Sequence, residues 1–247
     1  MDILLDQKYY NYFAIALKDS NAELEYVHGY TPHKDPMKKT DFLRLLNILR
    51  QKYHSIEESN TLDINKQVVT LKKTLLSNIR VSIEGVQNIQ RYCKTNKIQD
   101  IKNVSYIRKS QMVNPFNPKI KLNPIKNYDY NFRMNMKKEE NLPETHVDVE
   151  ELLDDFDSSN KYFRYKKRFS FITDDNLFRL DLTALKCNAF DFERKRNLYF
   201  KNLIDSNVLT NKEQFEFEIE YIGNKQINDQ YPIDNFIRKL KDLDIKH

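Results

Sequence analysis

Six segments of this chain alternate apolar and charged residues with a period of two, and that alternation restricts the fold more than any other feature. In FEFEIEY, Phe215, Phe217, Ile219 and Tyr221 point one way and Glu216, Glu218 and Glu220 the other, because side chains alternate across a strand. Three adjacent carboxylates repel one another, and glutamate is a poor strand former. Taken alone, such a segment reads as an edge strand with a solvated face, since antiparallel sheets often show water one polar side. Glu23 and Glu25, with Leu24 and Tyr26 opposite, read the same way. Charges of the other sign change the reading. Arg164, Lys166 and Arg168 share one face of a strand at Tyr162–Phe171, against Phe163, Tyr165, Phe169 and Phe171. Arg179, Asp181 and Thr183 oppose Phe178, Leu180, Leu182 and Ala184 in a strand at Leu177–Leu185. Arg80, Ser82 and Glu84 share a face, as do Arg133, Asn135, Lys137 and Glu139 against Phe132, Met134 and Met136.

The acids gather mainly on the first and last of these segments and the bases on the middle ones. Bulk water would not require that segregation; a barrel closed with its charged faces inward explains it. Arg80, Arg133, Lys137, Arg164, Lys166, Arg168 and Arg179 then line part of a tunnel, and Glu23, Glu25, Glu84, Glu139, Asp181, Glu216, Glu218 and Glu220 line the rest. A barrel of about eight strands has an interior that side chains just fill, or that holds one small ligand. Buried charges are paired or bind ions. Clustered glutamates suit a hard divalent cation, Mg²⁺ or Mn²⁺, and clustered arginine and lysine suit phosphate. Together they describe a site for a metal-bound polyphosphate.

The remainder of the chain agrees with a mostly antiparallel α+β domain. At 247 residues it fits one large domain or two small ones, and it reads as a single unit over 1–247. Further strands are expected at Ala22–His28, Gln67–Leu71 and Val104–Lys109. Helices are expected over 1–18, after a cap at Thr40 and Asp41, around Phe190–Ser206 and from Ile233 to Leu243. Residues 110–127, with Pro115, Pro118 and Pro124, read as a loop or irregular edge, and the acidic stretch 139–159 as an exposed loop with a short helix. Only 3 glycines occur, which excludes a glycine-rich phosphate loop; Gly29, Gly85 and Gly223 each follow a strand, where a turn needs them. No run approaches the roughly 18 apolar residues of a membrane helix, so no membrane partner is expected. Cys93 and Cys187 cannot build a disulfide framework and lack a phosphatase-type loop; they read as partly buried thiols in a reducing compartment. His28, His33, His54, His146 and His247 fall in no metal-ligand spacing. The run Arg194, Lys195 and Arg196 reads as a solvated face, at most an electrostatic guide for an anionic partner.

The ordered set ELE, IRVS, RMNMKKE, RYKKRFSF, RLDLTALK and EFEIEYIG, spanning roughly residues 22–223, resembles the triphosphate tunnel metalloenzymes. Within them it is most similar to the RNA triphosphatase modules of viral and cytoplasmic-plasmid mRNA capping enzymes. The resemblance implies a closed eight-stranded tunnel, flanked by helices, that removes the γ-phosphate from 5′-triphosphate RNA with Mg²⁺ or Mn²⁺. It implies Glu23, Glu25 and Glu220 as metal ligands. Glu218, with Glu216, is implied to orient the attacking water, and Lys166 and Arg168 to act at the reacting phosphate. Arg80, Arg164, Lys166 and Arg168 are implied as phosphate-binding bases, with Asp181 and Thr183 supporting them; the charged faces add Arg133, Lys137 and Arg179 as substrate-binding candidates. It further implies guanylyltransferase and methyltransferase modules as partners, in a longer capping enzyme of which this chain is the N-terminal part, and a cytoplasmic setting, host cytoplasm or virion. The Lys-x-Asp-Gly nucleophile motif of guanylyl transfer is absent. Two other readings remain open: a tunnel hydrolase of inorganic or nucleoside triphosphates, and a non-catalytic β-rich module of a transcription complex.

Overall fold

A computed structural model describes residues 14, 19, 21–29, 37–53, 56–69, 74–114, 117–127 and 131–223. Apart from residue 14, the expected helix over 1–18 lies outside the described residues, as do the one at Ile233–Leu243 and His33, His54 and His247. The strands are β1 (Ala22–His28), β2 (Ile56–Val69), β3 (Thr74–Glu84), β4 (Val104–Gln111), β5 (Val113–Asn114), β6 (Asn117–Lys121), β7 (Ile125–Asn127), β8 (Phe132–Leu142), β9 (Lys161–Ile172), β10 (Phe178–Cys187), β11 (Phe190–Asp191), β12 (Arg196–Asn197) and β13 (Gln214–Tyr221). The helices are α1 (Lys39–Lys52), α2 (Val86–Thr95) and α3 (Val147–Leu153).

Eight strands close into an antiparallel barrel in the order β1-β13-β10-β9-β2-β3-β4-β8, with β8 returning to β1. Closure runs through seven residue pairs, from Ala22 opposite Lys138 to His28 opposite Phe132. β7 pairs with the start of β8, along the edge that β4 occupies farther on.

The pleat puts the apolar residues outside the barrel, where helices bury them. On one side Phe42, Leu45, Leu46 and Leu49 of α1 pack over Leu24, Phe169, Leu180, Leu182, Phe217 and Ile219. On the other, Ile89 and Tyr92 of α2 and Val149 and Leu152 of α3 cover Leu62, Ile64, Val81, Ile83 and Phe163. Each such side chain removed from water stabilises the fold by about 1.5–3 kcal/mol. The core therefore surrounds the barrel, and its interior is left to charged groups.

Several boundaries differ from the sequence reading. α1 begins after Lys38 without a side-chain cap, and Asp41 lies inside its first turn, where a carboxylate suits the positive end of the helix dipole. The described part of the expected strand at Gln67–Leu71, residues 67–69, is the tail of the longer β2. Residues 110–127 contribute the short strands β5, β6 and β7. The helix expected at Phe190–Ser206 does not form; the β11–β12 hairpin and a series of turns occupy that stretch. α2, which the spacing did not suggest, starts beyond Gly85, whose φ of 86° only glycine adopts freely. Among the described residues no helix is long and apolar enough to cross a membrane.

Candidate active site

The inward faces of the eight strands carry the charges that the alternation singled out, and register fixes which of them meet. Glu25 of β1 lies opposite Glu220 of β13. On β10, Asp181 lies between Glu218 of β13 and Ser170 of β9, and Thr183 between Glu216 and Arg168. Asp63 of β2 stands between Arg164 of β9 and Ser82 of β3.

Three neighbourhoods result. In the first, Arg168 reaches Asp181 at 3.0 Å and Glu218 at 3.5 Å, and its Nε donates to Thr183 Oγ1 at 3.3 Å. Asp181 also accepts from Ser170 Oγ at 2.6 Å and from Arg179 Nε at 3.1 Å. In the second, Asp63 is 1% exposed. It accepts from Ser82 Oγ at 2.7 Å, pairs with Lys166, and lies 3.7 Å from Arg80 Nε. Beside it Arg164 faces Glu216 at 3.5 Å. In the third, Lys109 is 3.3 Å from Glu23 and pairs with Glu139, while Lys137 lies 3.5 Å from Glu25 and Arg179 pairs with Glu220. Arg133 donates to the carbonyls of His28 and Gly29.

Crowding of like charges away from water perturbs these groups in opposite directions. Burial, and then the carboxylate of Glu25, raises Glu23 well above the ordinary range. Burial also acts on Glu25, but Lys137 and Lys109 outweigh it and hold that carboxyl down. Burial, with Glu25 and Glu216 close by, raises Glu218 against the pull of Arg168 and Lys166. Lys166 is pushed down by burial and by Arg164, Arg80 and Arg168, against the attraction of Asp63. The wall thus holds carboxylates near neutrality beside others that stay ionised.

Apart from Glu84, every residue named for the tunnel lies on the inner wall. Glu84 does not belong to the lining: it is exposed at the end of β3. Asp63, Lys109 and Ser170 escaped the sequence reading. Asp63 and Lys109 sit in segments without strict alternation, whereas Ser170 continues the Arg164–Lys166–Arg168 face and was legible by parity. Cys93 and Cys187 are half-buried and unbridged. His146 caps α3 through Nδ1, which accepts from Asp148 N at 3.2 Å, a structural role.

No protein-family model matches the sequence, and no curated protein matches it. Solved structures do resemble the fold. The RNA triphosphatase domain of a trifunctional mimivirus mRNA capping enzyme superposes with a TM-score of 0.62 at 18% identity, covering 97% of this chain and 99% of that one. The triclinic form of the Mimivirus capping enzyme triphosphatase gives 0.60 at 17% identity, covering 96% and 97%. At these identities the likeness concerns the fold.

Proposed function

We propose that this chain is a divalent-metal-dependent RNA 5′-triphosphatase that releases the γ-phosphate from triphosphate-ended RNA, the first step of cap formation. The observation that carries the reading is the inner wall. Arg164, Lys166 and Arg168 on one strand stand across from Glu216, Glu218 and Glu220 on another, inside a closed barrel. The fold likeness to a capping-enzyme triphosphatase supports it.

Glu23, Glu25 and Glu220 would hold the metal. Glu25 faces Glu220 across one strand pair and Glu23 follows on the same face, an all-carboxylate donor set that suits a hard cation. As they stand these carboxylates are turned to Lys109, Lys137 and Arg179, and among the described residues no three such side chains are gathered around one metal position, so each would exchange a cationic side chain for the ion. When bound, such a cation polarises the γ-phosphoryl group and takes up developing charge. The protein's own part is positioning and electrostatics. Arg80, Arg164, Lys166 and Arg168 neutralise phosphate oxygens, with Arg133, Lys137 and Arg179 farther along the wall. Asp181, held by Ser170, fixes the fork of Arg168 beside Thr183. Glu218, its proton affinity raised by burial, is suited to accept a proton from the attacking water, with Glu216 beside it. In the capping reading, guanylyltransferase and methyltransferase modules act on the diphosphate end in the cytoplasm, following this chain in one capping enzyme.

The test is phosphate release from triphosphate RNA, nucleoside triphosphate and inorganic triphosphate, each with Mg²⁺ and with Mn²⁺. RNA should be the best substrate by kcat/KM, and Glu25→Ala or Glu220→Ala should abolish release. Full activity in either variant would end the assignment, as would an enzyme that ignores RNA and cleaves only the small triphosphates.

A further inference from the structure

A hairpin between β10 and β13 plays no part in the tunnel chemistry. β11 and β12 pair Phe190 with Asn197 and Asp191 with Arg196, and Leu198 donates its N–H to Ala189 O at 3.0 Å. Its root is clamped to the start of β9. Asn188 Oδ1 accepts from Phe163 N at 3.0 Å, and its Nδ2 donates to Lys161 O at 3.2 Å and Leu198 O at 2.8 Å. Just beyond, the rings of Tyr199 and Tyr162 meet edge to face at 6.3 Å. At this end of the barrel Arg164 closes the row of bases on β9, with Cys187 opposite it on β10. The hairpin is therefore rooted at the tunnel mouth bordered by Arg164 and Tyr162.

Its side chains are unusual for a surface loop. Phe190 and Phe192 meet edge to face at 5.2 Å, yet they are 44% and 83% exposed. Two phenylalanines in contact with each other and open to water mark a contact surface rather than a piece of core. Around them lie exposed Arg194, Lys195 and Arg196, together with Glu193 and Asp191. Asp191 is engaged with Arg194, through the backbone N–H at 3.0 Å and the guanidinium at 3.8 Å. Among the described residues Lys195 and Arg196 have no ion-pair partner. Exposed aromatic faces beside free cations are what a single-stranded nucleic acid requires: bases stack, and the backbone is neutralised.

We infer that the Phe190–Asn197 hairpin is the docking platform for the first nucleotides of the RNA whose 5′ end occupies the tunnel, the chain leaving past Arg164 and Tyr162. The inference rests on the triphosphatase reading and adds where the RNA body lies. It predicts that substrate length matters through this hairpin, whereas a small triphosphate never touches it.

The experiment uses the full chain with Phe192→Ala, Phe190→Ala/Phe192→Ala and Arg196→Gln. With triphosphate RNA, kcat/KM should fall about tenfold in the aromatic variants, mostly through KM, while release from inorganic triphosphate stays at the parent level. Binding of 5′-diphosphate RNA, which needs no turnover, should weaken in parallel, and Arg196→Gln should flatten the log–log salt dependence by about 0.7. Parent-like RNA kinetics and binding in Phe192→Ala would overturn the inference. Equal losses on RNA and inorganic triphosphate would overturn it too, by showing a structural role, and so would a change in self-association alone. If the parent released phosphate from no substrate, the triphosphatase reading would fall, while the binding comparison would still decide the hairpin's role.

Discussion

Asp63 illustrates how far a single side chain can escape a reading of pattern. Its strand, IEESNTLDINKQVV, is rich in asparagine and polar residues that are poor strand formers, and no alternation announces a face. The strand exists because β3 and β9 pair with it on both sides. Yet Asp63 is among the most buried charges on the wall, between Lys166, Arg80 and Ser82. Removing one partner of a buried pair leaves the others uncompensated, at a cost of about 3–5 kcal/mol. Asp63→Asn should lower stability in that direction and slow phosphate release, because Lys166 and Arg80 lose what orients them. The sign of the pH effect follows from the attraction of Lys166 and Arg80, which outweighs burial and holds the carboxyl below its ordinary range. Its stabilising contribution is complete above the usual carboxylate range and is lost as pH falls through and below it. Urea titrations should therefore show a shallower acid limb in Asp63→Asn than in the parent; parallel limbs would refute the pairing. Glu220 shows the complementary case. Alternation on β13 exposed it at once, and repulsion alone suggests that its removal relaxes the fold. In place, it pairs with Arg179, so Glu220→Ala should leave stability near the parent value rather than raise it, as thermal melts would show.

At the scale of elements, the strands whose two faces differ most in character were legible almost to the residue, β1 and β13 above all. What failed were elements whose cause is local hydrogen bonding or tertiary clamping. The stretch 190–206 has apolar residues at helix-like intervals, but Asn188 ties its start to β9. Farther on, Asn202 Oδ1 accepts from Asp205 N at 2.8 Å, and Ser206 Oγ donates to Leu203 O at 2.6 Å. Such side-chain bonds offer the backbone an alternative to the helix. α2 went unseen because only Ile89 and Tyr92 are buried along it, too few for a period. Lys161 is a further local device: fully buried, it donates to the carbonyls of Phe156, Asp157 and Ser159 at 2.7, 3.1 and 2.9 Å. It thereby ties the turn after α3 to the first residue of β9, the strand that carries Arg164, Lys166 and Arg168. Lys161→Met should destabilise the protein by about 2–4 kcal/mol, since three carbonyls lose their donor. Burial pushes the Lys161 ammonium down to about 8. A depressed lysine releases its proton more readily when folded, so the parent should gain stability as pH rises from about 8 toward the unfolded lysine value. The gap between parent and variant in chemical denaturation should widen over that window, and a constant gap would show that Lys161 is solvated.

For the whole molecule, the inner wall balances itself. Among the described residues, eight acids (Glu23, Glu25, Asp63, Glu139, Asp181, Glu216, Glu218 and Glu220) and eight bases (Arg80, Lys109, Arg133, Lys137, Arg164, Lys166, Arg168 and Arg179) share one barrel interior. Each acid has a cation within ion-pair distance. No single segment could reveal this balance, because partners such as Glu23 and Lys109, or Asp63 and Lys166, lie far apart in sequence and meet only on closure. The balance has a consequence for binding. A polyphosphate that recruits Arg164, Arg168 and Lys166 strips cations from Glu216, Glu218 and Asp63, leaving a surplus of negative charge that costs free energy in a poorly hydrated interior. In the metal-dependent reading, a divalent cation at Glu23, Glu25 and Glu220 would do the reverse, releasing Lys109, Lys137 and Arg179. Each ligand removes the penalty created by the other, so their binding must be coupled, and the coupling is reciprocal. Calorimetric titration of the parent with inorganic triphosphate should give weak binding without Mn²⁺ and about 5–150-fold tighter binding at saturating Mn²⁺. Mn²⁺ affinity should improve by the same factor when triphosphate is present. In Arg179→Ala, where Glu220 has already lost its cation, Mn²⁺ alone should bind more tightly than in the parent and the coupling factor should shrink. Independent binding of the two ligands in the parent would mean that the wall charges do not exchange partners, and the tunnel would then be a structural salt-bridge core instead of a site.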